Sequence, residues 1–441
     1  MDFYDREKEI AFLRSERERS MKGARLTVVS GRRRVGKTQL VRHATEGGPT
    51  VYWLVTRRAE TDQCADFLAR AKEVLPISVY GTGLRFGALF KALVEESLRT
   101  PFTLVVDELQ EFWKIAPGVF GEIQEHWDRH HAASKMNLIV CGSVNSLVNR
   151  IFFDEGQPLY GRATSRLRVE PFELPVLRRI LADHNPAWTP DDLLALWTLT
   201  GGVARYVEEL MDRGLATRDA MLDGVLDEHS FFLDEGRAVL AQEFGKDHGT
   251  YFSILAAIAR GVTDRNGIEQ VVGASVGGHL TKLERDYGIV ARRQPFRETS
   301  ANKSSRYRIS DNFLDFWFRF VFRNEDLIAL KRFDVLRDFL RRDYDTFSGR
   351  ALEGWFREKF VEERRYTGLG PWWDRKGENE IDLVGEDAVA GRIDFWEVKR
   401  DPARIDLTKL RAKADAFFAK NPELRSLHPS FRALSLADLR S

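Results

Sequence analysis

Hydrophobic residues in the first third of the chain fall in short unbroken runs. Leu26 to Ser30, Thr50 to Val55, Phe102 to Val106 and Leu138 to Cys141 are apolar at successive positions, which predicts strands covered on both faces. Helical stretches separate them, so a parallel α/β sheet is expected. From about Phe172 to Leu233 the spacing becomes helical, interrupted at Gly201-Gly202. Tyr251 to Arg260 and Asn266 to Val272 read as helices. Ser275 is expected to cap a third, with Leu280, Leu283 and Tyr287 at helical spacing. The basic stretch Ile289 to Ile309 supplies two strands and a loop, completing the outline of a winged helix. A helical bridge, Phe313 to Tyr344, leads to a last α+β block. There Asn379 to Val384 and Ile393 to Lys399 predict an antiparallel hairpin, with its loop at Gly385 to Arg392.

At 441 residues the chain exceeds one ordinary core. The pattern divides it into 1–170, 171–245 as a helical lid, 246–312 as the winged helix, 313–346 as a linker and 347–441. No apolar run approaches the ~20 residues of a membrane span, and the N-terminus lacks an apolar signal core. Two cysteines, Cys64 and Cys141, make neither a disulfide framework nor a zinc site, so a cytoplasmic protein is expected. A net charge of +1 gives no overall pull toward nucleic acid, so contact with DNA requires a local patch. His279, Lys282 and Arg285 on the third helix, with Arg292, Arg293, Arg297, Lys303, Arg306 and Arg308, are the candidates. The alternative is that this domain packs inside the protein as a relay.

Gly31-Arg32-Arg33-Arg34-Val35-Gly36-Lys37-Thr38 satisfies the Walker A pattern between a strand and a helix. Backbone amides from Gly31 through Gln39 would curl around ATP phosphates, with Arg34, Val35 and Gly36 in the curve. Lys37 would reach the β and γ oxygens and the Thr38 hydroxyl would ligate Mg²⁺. Asp107-Glu108, ending the third apolar run, puts Asp107 by the metal and Glu108 where it deprotonates the attacking water. Ser143, after the fourth run, would bond that water or the γ-phosphate, or else cap the next helix, with Asn145 as an alternative cap.

These residues carry a resemblance. With Phe3 to Glu9, Leu159 to Arg162 and Leu199 to Tyr206, residues 1–235 resemble the archaeal-type branch of AAA+/STAND-like ATPases. The resemblance implies that the Arg6 segment lies by the base. It makes Arg162 a candidate γ-phosphate sensor or finger, in its own subunit or across to a neighbour in a homo-oligomer. Relatives have Gly-Gly-hydrophobic-Pro where this chain has Gly201-Gly202-Val203-Ala204, which puts the rigidity of the lid contact in question.

In the tail, Glu397 and Lys399 share one strand face, and Asp382 joins them if it pairs with Glu397 across the hairpin. Two such carboxylates suit Mg²⁺, and a lysine there activates water. Glu353, at helical spacing from Phe356 and Phe360, is a carboxylate on an apolar face that needs a partner. With Trp372-Trp373-Asp374-Arg375, these residues resemble the PD-(D/E)XK restriction-endonuclease-like fold over about 345–441. The implied architecture is α/β: a P-loop parallel-sheet ATPase with a helical lid, a winged helix and a C-terminal α+β restriction-endonuclease-like domain. That tail would act on DNA, or bind without cutting in a regulatory switch.

Overall fold

A computed structural model describes residues 1–77, 79, 84–142, 145–244, 248–298 and 305–440; the side chains of 145, 146 and 242 are outside it. The chain forms two compact units, Asp2–Pro171 with Val203–Arg205, and Met1 with Phe172–Gly202 and Tyr206–Ser441.

Five strands make the sheet of the first unit: β1 (Arg25–Ser30), β2 (Thr50–Leu54), β3 (Phe102–Asp107), β4 (Met136–Cys141) and β5 (Ser165–Arg168). They run parallel in the order β2-β3-β4-β1-β5. Val28, Trp53, Leu104 and Leu138 pack on one face with Phe67, Phe86 and Phe112. Val29, Val105, Ile139 and Cys141 pack on the other with Val35, Leu40 and Val41. Cover on both faces is what the unbroken apolar runs require. β5 escapes the sequence pattern because this edge strand exposes alternate residues and carries a single apolar side chain, Leu167. The glycine-rich loop leaves the carboxyl end of β1.

In the second unit the helix Pro190–Thr200 opens with a Thr189–Asp192 capping box and closes on Gly201, whose φ of 56° favours glycine. After the helices Ala204–Asp212, Arg218–Val225 and Phe232–Phe244 come His248–Ala259, Arg265–Val272 and Gly277–Arg285. The antiparallel ribbon β6 (Val290–Arg293) and β7 (Arg306–Ile309) comes after them. Ser275 does not cap the third helix. Val276 occupies that position, and the Ser275 hydroxyl and Val276 amide both donate to Glu269 Oε1, at 3.4 and 3.1 Å. The helix Phe333–Glu362 runs 30 residues, so the expected linker boundary at 346–347 falls inside one continuous element.

The last sheet is mixed, ordered β11-β10-β9-β8, with β8 (Gly368–Trp373), β9 (Glu380–Asp387), β10 (Arg392–Val398) and β11 (His428–Leu434). β8, β9 and β10 are antiparallel neighbours, whereas β11 lies parallel to β10. The predicted hairpin is present but its loop is shorter, 388–391, because β9 continues past the apolar run. Glu386 and Asp387 stay buried, paired with Arg297 and Arg392. β8 and β11 are edges and each contains a proline, Pro371 and Pro429, which an interior strand would not tolerate. Trp372, Ile381, Val384, Ile393, Phe395, Leu410 and Phe417 form the core, and Phe296, just beyond β6, packs into it. The Phe296 amide also donates to the Pro371 carbonyl at 2.8 Å.

Candidate functional sites

The loop after β1 needs glycine for steric reasons. A Cβ on Gly31 would stand 2.4 Å from the Val169 carbonyl oxygen, and Gly36 has a φ of 100°. Arg34 also adopts a left-handed conformation, φ 67°. The helix Lys37–Thr45 begins at Gly36 with no side chain capping its first turn, as an anion-binding helix start requires. Lys37 is buried, its ammonium donating to the Gly31 and Arg32 carbonyls at 2.8 Å each. Val35 is fully buried beneath the loop. The Arg6 guanidinium donates to the Glu170 carbonyl at 2.7 Å and the Val35 carbonyl at 3.5 Å, so it braces the loop from below. From the first turn of the helix Ala204–Asp212, the Arg205 amide donates to the Arg34 carbonyl at 3.2 Å.

Thr38 Oγ1 donates to Asp107 Oδ2 at 3.1 Å, bringing together the two residues expected to hold a metal. A hard cation bound by a hydroxyl and a carboxylate, with waters, matches this oxygen pair. Tyr52, on neighbouring β2, also donates to Asp107 Oδ2. Burial first, then Asp107, pushes its hydroxyl well above the ordinary tyrosine range. Glu108 sits in the left-handed region at φ 55°, and buried Gln110 donates to its carboxylate. Neither Tyr52 nor Gln110 stands out in the sequence; the only signal is a polar tip inside an otherwise buried segment. Arg162 is held by Asp128 in a two-pronged pair, with contacts of 2.6 and 2.8 Å, and by the Tyr160 carbonyl. Ser143 lies outside the described residues, as does the Asn145 side chain.

In the second unit the strand register places Asp382 beside Glu397, one step beyond the Leu383–Trp396 pair. Asp382 Oδ2 accepts from the Val398 amide at 2.8 Å and from Lys399 Nζ at 2.9 Å. Lys399 also meets Glu397 at 3.1 Å. Lys413, from the helix Leu407–Lys420, reaches the other Glu397 oxygen at 3.1 Å and was not anticipated. Burial raises the Asp382 carboxyl against the pull of Lys399. Burial lowers Lys399, but Asp382 and Glu397 outweigh it and hold the ammonium above its ordinary value. Burial, then Asp382, drives Glu353 well above the usual carboxylate range. Among the described residues no group of three or more His, Cys, Asp or Glu is arranged to hold a metal. The pair Asp382 and Glu397 still fits Mg²⁺, which keeps several waters and binds through one or two carboxylates.

The ribbon arginines face the tail. Arg308 meets Glu353 at 3.6 Å, Arg306 meets Glu380 at 2.8 Å and lies 4.4 Å over the Trp373 ring, and Arg297 pairs with Glu386. Arg292 donates to Ser305 at 2.9 Å. Lys282 and Arg285 are exposed, His279 packs against Tyr251, and Lys303 is outside the described residues. Of the Trp372–Arg375 segment, both tryptophans are core, and Asp374 closes the turn by accepting from the Glu378 and Asn379 amides.

Residues 3–210 match the model of an ATPase domain predominantly from Archaea, and residues 317–410 that of archaeal and bacterial proteins of unknown function. The chain is similar to the uncharacterized protein MJECL04 of Methanocaldococcus jannaschii, at 28% identity over 92% of this chain and 90% of the relative. Among solved structures, the Walker-type ATPase PABY2304 of Pyrococcus abyssi is 20% identical over 72% of this chain and 96% of its own, with a TM-score of 0.49. The ORC2 protein of Aeropyrum pernix, in its ADPNP–ADP complexes, is 15% identical over 75% and 96%, with a TM-score of 0.47. No helix among the described residues is long and apolar enough to cross a membrane.

Proposed function

We propose that this chain, an ATPase of the P-loop kind, uses its nucleotide state to govern a Mg²⁺-dependent, nuclease-like tail acting on DNA. In the first unit Lys37 would leave the Gly31 and Arg32 carbonyls for the β and γ oxygens of ATP. Thr38 and Asp107 would hold Mg²⁺, which when bound offsets phosphate charge. Glu108 would take the proton of the attacking water, kept in place by Gln110. Arg162, if it acts as a finger, must first exchange Asp128 for a phosphate, its own subunit's or a neighbour's.

The observation that carries the nuclease-like reading is the meeting of Asp382, Glu397 and Lys399, within 2.9 and 3.1 Å, at the end of a hairpin in a mixed sheet. Asp382 and Glu397 would hold the metal, and Lys399 would hold or deliver a proton at the attacked phosphate. Glu353 would complete the acidic wall. The three helices and the β6–β7 ribbon correspond to the winged helix, acting as the relay rather than the reader of DNA.

A second reading, a nucleotide switch whose tail binds without cutting, is favoured by one observation. Arg308 on Glu353 and Arg306 on Glu380 neutralise acids that a cleaving centre would keep for metal. Supercoiled plasmid incubated with Mg²⁺ or Mn²⁺, with and without ATP, separates the two. Nicking lost in Asp382→Ala and Lys399→Ala supports cleavage at this site, nicking kept in both excludes the site, and intact plasmid in every condition leaves the switch.

A further inference from the structure

Beside the acidic centre is a cavity of about 200 Å³. Arg293 and Arg308 enter it from β6 and β7, and Arg350 and Arg357 from the helix Phe333–Glu362, seven residues apart and so on one helix face. Asp315 and Glu358 also line it, so four guanidinium groups stand against two carboxylates. Arg293 and Arg308 are half-buried and Arg350 and Arg357 are exposed, giving a recessed pair behind an open rim.

Guanidinium groups repel one another, and such a group is stable in a recess only when its donors are taken. The Arg293 Nε is buried with no hydrogen-bond partner. Burial first, then Arg308 and Arg357, pulls the Arg293 guanidinium down to about 10, against the opposing pull of Glu353 and Glu358. Arg308 forms an ion pair with Glu353 at 3.6 Å, beyond hydrogen-bond distance, so the pair neutralises charge without taking its donors. Planar forks around one small space suit a tetrahedral, multiply charged oxyanion better than a single carboxylate, because each fork takes two oxygens.

We propose that this cavity is a phosphate-binding site, separate from the loop at 31–38, which takes the phosphate of a small free anion or the terminal phosphate of a nucleic-acid strand. Arg308 and Arg350 also line the adjoining cavity of Asp382, Glu397 and Lys399, so a phosphate held here lies next to those carboxylates. The site requires neither cleavage nor metal, so it stands whichever reading of the tail holds.

The test uses the full chain carrying Lys37→Ala, so that the nucleotide loop does not compete. Inorganic pyrophosphate is titrated by calorimetry, and hexanucleotides with a 5′-phosphate or a 5′-hydroxyl by fluorescence anisotropy. Adding Arg293→Gln is expected to weaken the phosphate-bearing probe at least about tenfold, the scale of one lost charge-assisted bond. Arg350→Gln, at the exposed rim where folding is not at stake, must weaken it too, and Arg293→Lys must restore part of the loss. Pyrophosphate affected in this way assigns a free anion. A 5′-phosphate advantage that disappears in the variants assigns a strand end. If Arg350→Gln leaves both probes binding as before, the site does not exist.

Discussion

The Thr38 hydroxyl and the Asp107 carboxylate hydrogen-bond across 3.1 Å, joining the first turn after the glycine-rich loop to the end of β3. Two oxygens at this distance approach a shared cation with little rearrangement. Lys37, in contrast, is committed to two carbonyls and must be released by the incoming phosphates. Lys37→Ala is therefore expected to reduce ATP turnover by at least about a hundredfold, the scale of a lost electrostatic contact in the transition state. Phosphate release measured at saturating ATP checks this.

Glu108→Gln removes the proposed base and leaves the cradle. ATP should bind with affinity close to the parent's while single-turnover hydrolysis falls at least about a hundredfold. Gln110→Leu should lower kcat by less and leave KM unchanged, since on the proposed reading Gln110 acts only through its hydrogen bond to Glu108. A raised KM with unchanged kcat would remove Gln110 from this role.

Tyr52→Phe deletes a donor to Asp107 Oδ2. Half-maximal ATPase activity should then need several times more or less Mg²⁺ than in the parent, while kcat at saturating Mg²⁺ stays within about twofold, as one hydrogen bond to a charged group allows. A magnesium titration that overlays the parent's would show Tyr52 to be structural only.

Arg297→Ala leaves Glu386, 4% exposed, without its guanidinium. The loss should be about 1–3 kcal/mol, below the value for a fully buried pair because Arg297 is half exposed. A melting temperature within error of the parent's would reject the pair as a fastener of the ribbon.

Burial raises the Asp315 carboxyl to about 6, against the pull of Arg350 and Arg308. A folded-state value above the unfolded one gives a stability contribution that is full below the ordinary carboxyl value of 3.8 and lost as pH rises through 6. Asp315→Asn should match the parent's melting temperature near pH 3 and exceed it at pH 8. The opposite trend would mean the arginines outweigh burial.

Much of this was legible in the sequence wherever a single residue type or run fixes the outcome. β1 to β4 follow from apolar runs because both their faces are covered, and the cradle from glycines that nothing else can replace. Asp382, Glu397 and Lys399 follow from the two-residue alternation of strands once the hairpin is drawn. β5, β8 and β11 were not legible, since β5 and β11 bury none of their side chains fully and β8 and β11 each carry a proline, whereas the edge strand β2 keeps an apolar run. Tyr52, Gln110 and Lys413 depend on which element lies next to which, and that adjacency is long-range. The surroundings of the basic stretch were hidden for the same reason: Arg308, Arg306 and Arg297 lie beside Glu353, Glu380 and Glu386, which come later in the chain.

Phe296 belongs in sequence to the ribbon and in space to the interior of the last sheet. A fragment beginning at residue 347 would therefore start with a helix cut midway and a hole where an aromatic ring belongs. An exchange of tails at the bench would have to break the chain upstream of Val290, so that ribbon and sheet move together.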